Sequence, residues 1–228
     1  MFTLDGVVPW GRSFDEYRRM FALTDEDLNS RIIGCADGPA SFNAEATARG
    51  LSATSCDPIY RFTVDQIRQR IHETAEAVLD QTRRNQDEFV WTSILSIEEL
   101  RQIRMSSMEN FLTDFEAGKQ QGRYIDAELP HLPFGNASFD IALCSHFLFL
   151  YSEQLSEDFH VAAIREMGRI AGEVRVFPLL ALGGNPSSHV APVSERLQRD
   201  GYAVSVKTVP YEFQRGGNQM MRVRLRPT

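Results

Sequence analysis

The chain of 228 residues contains the stretch RIIGCADGPA at residues 31–40, in which a short apolar run passes directly into a glycine-containing turn. An apolar run of this length followed by a turn predicts a buried strand of a parallel sheet. The small residues of the turn let the backbone approach a ligand closely, and the helix that follows presents free N–H groups at its N-terminus. We therefore expect an open α/β sheet with a ligand site at the carboxyl end of this strand.

The segments on either side alternate between helical and strand patterns. Before the stretch, Phe14, Tyr17, Phe21 and Leu28 have the spacing of one amphipathic helix over residues 13–28. After it, the patterns predict helices at residues 41–49, 63–81, 89–117, 153–171 and 189–200. They predict strands at residues 51–56, 123–126, 139–144, 173–177, 202–209 and 220–225.

Regular alternation of strands and helices is typical of right-handed βαβ units, so we predict a doubly wound α/β fold with a mostly parallel sheet. The last two strands have no helix between them, which predicts an antiparallel end to the sheet. No repeat and no linker interrupts the pattern, so we predict a single domain over residues 1–228. Within it, residues 1–29 are expected to form a helical lid and residues 85–122 a helical cap insertion.

Composition and charge exclude several classes of protein. The chain has 43% hydrophobic and 24% charged residues, which is typical of a globular protein and not of a disordered one. Its longest apolar run, at residues 147–151, is far shorter than the roughly 20 residues of a membrane-spanning helix. The first residues, MFTLD, lack the layout of a signal peptide. With a net charge of −7 and no basic block, we expect a cytoplasmic protein with no membrane or nucleic-acid partner.

The three cysteines are scattered and form no CxxC pair, and no HExxH motif is present. We therefore predict neither a disulfide framework nor a metal site. Cys35 and Cys144 are expected to be small apolar fillers. His131 and His160 are expected at the surface, and His189 is expected to open a helix.

An acidic residue also ends the second predicted strand. Asp57 precedes Pro58 and follows Gly38 by 19 positions. A carboxylate at this distance can accept hydrogen bonds from both hydroxyls of a ribose. A plain strand-ending turn is the other interpretation of the Asp57-Pro58 pair.

A third acidic position, Asp126, ends the next predicted strand. Its carboxylate can accept a hydrogen bond from the amino group of an adenine, with Ala127 and Leu129 beside the ring. A solvated loop acid is the alternative.

The glycine-containing turn after the first strand, Asp57 and Asp126 follow one another in this order along the chain. With this order, the sequence resembles the class I S-adenosylmethionine-dependent methyltransferases over roughly residues 30–226. The stretch DAELPHLPFGNASFD at residues 126–140 resembles the adenine-pocket segment and fourth strand of that family. The resemblance implies a Rossmann-like sheet of seven strands with an antiparallel last strand. It also implies S-adenosylmethionine as co-substrate, a small molecule as the second substrate, and no metal.

The resemblance implies a cofactor site at the ends of the first four strands, made by Gly34, Cys35, Ala36, Asp37, Gly38, Asp57, Pro58, Asp126, Ala127 and Ser145. Two positions depart from the family pattern: its usual acid in the first strand falls on Ile32, and its middle glycine falls on Ala36. Either Asp37 compensates for the missing acid, or the amino-acid part of the cofactor is held differently.

The end of the fourth strand is where the family places groups that face the transferred methyl. His146 is expected to be the general base, because the pKa of an unperturbed histidine lies near neutrality. A histidine hydrogen-bonded under the following helix is the alternative. Tyr151 is expected to position the substrate or to face the sulfonium, with plain packing as the alternative. Lid or substrate contacts are expected from Trp10, Phe14, Tyr17 and Arg215.

Three functions follow as hypotheses. The first is methyl transfer to a small molecule. In the second, the α-amine of S-adenosylmethionine attacks its own γ-carbon, as in azetidine-2-carboxylate synthases, which resemble methyltransferases; the missing acid at Ile32 motivates it. The third is a catalytically silent binding subunit. The apolar block at residues 89–117 predicts either an apolar substrate pocket or the face of a homodimer.

Overall fold

Seven strands form a single sheet in the computed structural model, which describes residues 7–225. The prediction about the first five residues, and the outer ends of the predicted lid and domain, lie outside the described residues. The strands are β1 (Ile32–Cys35), β2 (Ala53–Cys56), β3 (Tyr124–Ile125), β4 (Phe139–Ser145), β5 (Ala171–Phe177), β6 (Tyr202–Thr208) and β7 (Gln219–Leu225).

The order across the sheet is β3-β2-β1-β4-β5-β7-β6. The strands β1 to β5 are parallel to one another, and β7 lies antiparallel between β5 and β6. The strand order reverses between β1 and β4, which places a crevice at the carboxyl ends of those strands. The predicted fold class is therefore confirmed: an open α/β sheet of seven strands, mostly parallel, with an antiparallel last strand.

Helices precede, connect and cover the strands. They are α1 (Phe14–Met20), α2 (Asp25–Leu28), α3 (Phe42–Ala48), α4 (Val64–Arg84), α5 (Ile97–Gln120), α6 (Glu157–Ile170) and α7 (Val190–Arg199). Single 3-10 turns lie at Pro58–Arg61, Gln86–Glu88 and Phe149–Tyr151. None of the helices in residues 7–225 is long and apolar enough to cross a membrane.

Three predicted helices have different bounds in the structure. The single helix predicted at residues 13–28 is wrong, because Ala22 has a positive φ of 47° and Thr24 caps a second helix. Ser96 caps α5, so the helix predicted from residue 89 begins at residue 97. Ser156 caps α6, which begins four residues later than predicted.

The sheet has an apolar core on each face because successive strand residues point to opposite sides. Ile32 and Leu143 pack with α1 and α3, while Ile33 and Cys144 pack with α6 and α7. A third cluster joins α4 and α5 to the 3-10 turn that follows β2. The segment between β3 and β4, residues 126–138, contains no helix, and its Leu129 packs on the second face.

Candidate functional site

A cavity of about 640 Å³ opens at the carboxyl ends of the parallel strands. Its walls come from the turn after β1, the start of the 3-10 turn after β2, residues 127–130, the end of β4 and the segment before α1. The cavity lining contains the following residues of the predicted site: Trp10, Tyr17, Ala36, Asp37, Gly38, Asp57, Pro58, Ala127, Ser145, His146 and Tyr151. The segments that make this site lie far apart in the sequence and meet because parallel strands end at one edge of the sheet.

Five predicted site residues lie elsewhere, two of them inside β1. Cys35 is fully buried in the core, and burial together with Cys56 raises the pKa of its thiol. Gly34 lies directly beneath the Asp37 side chain, and a Cβ at this position would come within 2.3 Å of the carboxyl group. This close approach explains the glycine without any contact to a ligand.

The other three lie outside the cavity lining. Asp126 is exposed and forms an ion pair with Arg61, 3.1 Å away. Phe14 is buried and stacks on Phe42 with ring centroids 5.5 Å apart. Arg215 is exposed and donates hydrogen bonds to the carbonyl groups of residues 87 and 89. The roles predicted for these residues stay predictions.

Two further predictions concern His160 and the apolar block at residues 89–117. His160 is not at the surface, so that prediction is wrong: it is fully buried between the carbonyl groups of Ser156 and Leu148. In the apolar block, Phe89 and Leu100 line the cavity, whereas Met108, Phe111 and Phe115 are buried within the chain. A homodimer stays a prediction.

The Asp57 carboxylate at the end of β2 accepts hydrogen bonds from two backbone N–H groups, one of them in the turn after β1. Asp57 accepts from the Gly38 N–H at 2.9 Å and from the Ile59 N–H at 2.8 Å, one on each oxygen. A carboxylate has about four lone-pair sites, so two remain for a ligand. Burial raises the pKa of Asp57 to about 6, with Asp126 acting in the same direction.

Asp37 is a buried carboxyl group in the cavity wall. It accepts hydrogen bonds from the Tyr17 hydroxyl and, at 2.6 Å, from the Ser55 hydroxyl. Burial raises its pKa to about 6, and these two hydrogen bonds oppose the rise. With a pKa of about 6, the Asp37 carboxyl group is ionised at neutral pH and can receive a cationic group.

His146 lies in the cavity wall with a positive φ of 50°. Its Nδ1 is 2.9 Å from the Ser145 hydroxyl, and burial together with the cations Arg12 and Arg104 lowers its pKa well below the usual range. The imidazole is therefore neutral at pH 7, and these surroundings make it a weaker base than an unperturbed histidine. Burial raises the pKa of Tyr151, which stays protonated.

Four residues of the site were missed by the sequence reasoning. Arg12, Arg104 and Tyr211 line the cavity, and the buried Glu16 joins the last two. The Ser13-x-x-Glu16 spacing is a capping box, which is present and accounts for Glu16 locally. The sequence contains no signal for the pairing with Arg104, because the partners are 88 positions apart.

The cavity thus has a chemically divided wall. Two carboxyl groups lie at the ends of β1 and β2, and two arginines lie just before α1 and within α5. Aliphatic and aromatic side chains form much of the rest. Residues 7–225 contain no cluster of three or more His, Cys, Asp or Glu side chains that could hold a metal ion. Such a wall can bind a ligand that has hydroxyl groups, a cationic centre and an apolar part.

The fold and this site define an open α/β protein with a ligand cavity at the switch in strand order. No model of a known protein family matches the chain. It is 31% identical over 223 residues, or 97% of its length, to the uncharacterized protein MJ0045 of Methanocaldococcus jannaschii, of which it covers 98%. The chain belongs to the same family as this protein.

Solved structures with a similar chain path include several methyltransferases. The magnesium protoporphyrin IX methyltransferase of Synechocystis PCC 6803, solved with bound SAH, is 11% identical with a TM-score of 0.48, over 89% of this chain and 77% of that one. The mitomycin 7-O-methyltransferase is 13% identical with a TM-score of 0.49, over 93% and 54%. A SAM-dependent methyltransferase of Aquifex aeolicus is 12% identical with a TM-score of 0.40, over 86% and 80%.

Proposed function

We propose that the protein binds S-adenosylmethionine in this cavity and transfers its methyl group to a small molecule. The observation that carries the proposal is the joint placement of the turn at residues 36–38 and the Asp57 carboxylate in one cavity wall. The two free lone-pair sites of Asp57 suit the two hydroxyls of a ribose. Ala127 and Leu129 line the same cavity and offer apolar contact to an adenine.

Asp37 supports the proposal at the other end of the cofactor. When bound, S-adenosylmethionine supplies a methyl group on a sulfonium that is already activated for displacement. An ionised Asp37 can receive the ammonium group of its amino-acid part, held in position by Tyr17 and Ser55. The hydrogen bonds of these two residues to Asp37 fix the carboxyl group before a ligand arrives, which lowers the cost of binding.

The chain's own residues would supply alignment and one proton acceptor. Methyl transfer depends mainly on proximity and orientation of the reacting groups. His146 can take the proton of a hydroxyl or amine acceptor at Nε2, which has no hydrogen-bond partner within residues 7–225. Phe147, Leu150 and Tyr151 form an apolar wall beside it and exclude water.

Mass spectrometry tests the reaction directly. The protein is incubated with S-adenosylmethionine carrying a deuterated methyl group, once alone and once with a small-molecule extract of cells. The proposal predicts S-adenosylhomocysteine and a labelled small molecule only when the extract is present, and much less of both with the Asp57→Ala variant when S-adenosylmethionine is not saturating. Asp65→Ala, an exposed residue on α4, is the matched control and keeps the activity.

Two other results would replace the proposal. Methylthioadenosine and a four-membered amino acid formed without extract would establish cyclisation of S-adenosylmethionine. The position of Asp37 counts against that reaction, because a nearby carboxylate keeps an ammonium group protonated. Intact S-adenosylmethionine under both conditions, with no binding at millimolar concentration, would leave a silent binding subunit.

A further inference from the structure

The two cavity arginines differ in how their charges are balanced. Arg104 is fully buried and donates to both oxygens of Glu16, at 2.6 and 2.7 Å. Glu16 also accepts from the Tyr211 hydroxyl at 2.9 Å and from the Ser13 N–H at 3.0 Å. Together with one from the Ser13 hydroxyl at 3.3 Å, these hydrogen bonds use the lone-pair sites of the Glu16 carboxylate, so it has no capacity left for a second guanidinium.

Within residues 7–225, Arg12 has no such carboxylate partner. The one hydrogen bond of its side chain in this range goes from Nη1 to the carbonyl oxygen of Trp10, and its Nε is buried without any hydrogen-bond partner. No carboxylate of the described chain forms an ion pair with it. Burial and the neighbouring Arg104 lower its pKa, Glu16 acts in the opposite direction, and the net effect disfavours the cation. A largely desolvated charge that forms no ion pair is costly, and a bound anion would reduce that cost.

The rest of the cavity lining shows what kind of molecule would bring the anion. Aromatic rings line the same cavity as Arg12: Phe89 and Phe213 lie 5.0 Å apart between centroids, and Phe177 meets Tyr211 edge-on at 5.7 Å. All four line the cavity. Rings in these orientations offer faces and edges to a flat apolar body.

We propose that the second substrate is a flat, apolar small molecule with a carboxylate, and that Arg12 binds this carboxylate. The proposal rests on the proposed function, since it names the acceptor of the same cavity. A planar guanidinium with free N–H groups matches a carboxylate in geometry as well as charge.

The position of Arg12 favours the acceptor over the cofactor as the source of the carboxylate. The groups whose charges act on Arg12 are Arg104, Glu16 and the hydroxyls of Tyr17 and Tyr211. The charge that acts on Asp37 is that of Asp57. Arg12 in turn acts on His146, the proposed base. An anion bound by Arg12 would therefore lie within electrostatic reach of His146, the proposed base.

Calorimetry with matched probes tests this assignment. Benzoate, cinnamate and 2-naphthoate are titrated into the protein, each against its primary amide, with and without saturating S-adenosylhomocysteine. At least one carboxylate is expected to bind about tenfold more tightly than its amide, since a charge-assisted pair is lost in the amide. Arg12→Gln abolishes this preference and Arg12→Lys retains part of it.

Arg18→Gln is the matched control, because Arg18 lies on α1 in an exposed ion pair with Asp25 and outside the cavity. It keeps the full preference for the carboxylate. Arg12→Gln is expected to unfold at the same or a higher temperature than the natural protein, because it removes a buried charge without a counter-ion. Loss of preference in this variant would then report binding and not folding.

Three results separate the two proposals. Equal affinity for carboxylates and amides in the natural protein would overturn the assignment of Arg12. The assignment would also be overturned if Arg12→Gln bound S-adenosylhomocysteine more weakly but bound methylthioadenosine, which lacks the carboxylate, with unchanged affinity. The anion bound by Arg12 would then be the carboxylate of the cofactor. A carboxylate preference lost in Arg12→Gln, in a protein that binds no S-adenosyl compound, would support the anion site and overturn the proposed function.

Discussion

Two residues of the cavity wall, Ala36 and His146, have a left-handed backbone conformation, with φ of 55° and 50°. A side chain disfavours this conformation, and such residues persist where the surrounding structure enforces them. The family pattern that the sequence resembles has a glycine where Ala36 lies. The structure explains that preference, because the turn needs a positive φ at this position whichever residue occupies it.

Replacement of Ala36 by glycine should therefore relieve strain. Removing the Cβ at positive φ gains about 1–2 kcal/mol, and the added freedom of the unfolded chain costs about 0.4–1 kcal/mol. We expect the free energy of unfolding of Ala36→Gly to rise by up to about 1 kcal/mol in urea denaturation. Ala44→Gly, inside α3, is the control and should lose about 1 kcal/mol. A destabilised Ala36→Gly variant would contradict the backbone strain inferred at Ala36.

Asp37 should make stability depend on pH. Its pKa is about 6 in the folded protein against an ordinary value of 3.8, so the folded state binds more protons between these pH values. Stability therefore falls as pH rises from about 4 to about 6, by roughly 3 kcal/mol in total at 1.36 kcal/mol per unit of pKa. Asp37→Asn removes this loss, so its free energy of unfolding relative to the natural protein should improve as pH rises.

The measurement is urea denaturation of both proteins at several pH values from 4 to 7.5. Asp140→Asn is the control, because Arg31 lowers the pKa of Asp140. A lowered pKa changes stability only below about pH 4, so the stability of that variant relative to the natural protein should stay nearly constant over this range. An Asp37→Asn variant whose relative stability does not change with pH would contradict a raised pKa at Asp37.

At the scale of elements, α1 is held to the rest of the molecule through Glu16. This one side chain caps the helix at Ser13, pairs with Arg104 of α5 and accepts from Tyr211, which lies between β6 and β7. Three elements far apart in sequence therefore meet at a buried carboxylate. Its position fixes the segment before α1, which forms one wall of the cavity.

Glu16→Gln should destabilise the protein strongly. The change leaves Arg104 buried without a counter-ion, a situation that costs about 3–5 kcal/mol. The double variant Glu16→Gln/Arg104→Met should recover much of that loss, because both charges are then absent. Asp25→Asn, which breaks only the exposed pair with Arg18, should cost less than about 1 kcal/mol. Urea denaturation of the four proteins gives these values, and equal losses for the single and double variants would contradict the account.

Local sequence patterns predicted the strands well and the helix starts less well. Strands and apolar faces follow from the order of residues along a few positions, as in Ile32 and Ile33, which pack on opposite faces of the sheet. The break in the first helix depends on Thr24 acting as a second cap, which competes with a continuous apolar spacing from Phe14 to Leu28. The pairing of Glu16 with Arg104 depends on the fold as a whole, and no local sequence pattern predicts it.

For the molecule as a whole, one continuous sheet joins every element from β1 to β7. The resemblance predicted the number of strands and the antiparallel last strand. Most of the residues that it predicted for the cofactor site line the cavity, because the ends of parallel strands meet there. It did not foresee Arg12, whose significance lies in a missing counter-ion and appears only when the surrounding carboxylates have been located.

A single sheet predicts a single unfolding event. Far-ultraviolet circular dichroism and tryptophan fluorescence should give coincident urea transitions, since Trp10 and Trp91 pack against the core that contains β1 and β4. Two separate transitions would show that residues 85–122, predicted as a cap insertion, unfold independently. The single-domain prediction would then be wrong.

The central claim is that the cavity binds S-adenosylmethionine through Asp57. Isothermal titration calorimetry of the natural protein with S-adenosylmethionine tests it most directly. The account predicts saturable binding at one site, weakened by about 1–3 kcal/mol in Asp57→Ala because charge-assisted hydrogen bonds to the ribose are lost, and unchanged in Asp65→Ala. Absence of binding at millimolar concentration, or equal affinity in Asp57→Ala and the natural protein, would contradict it.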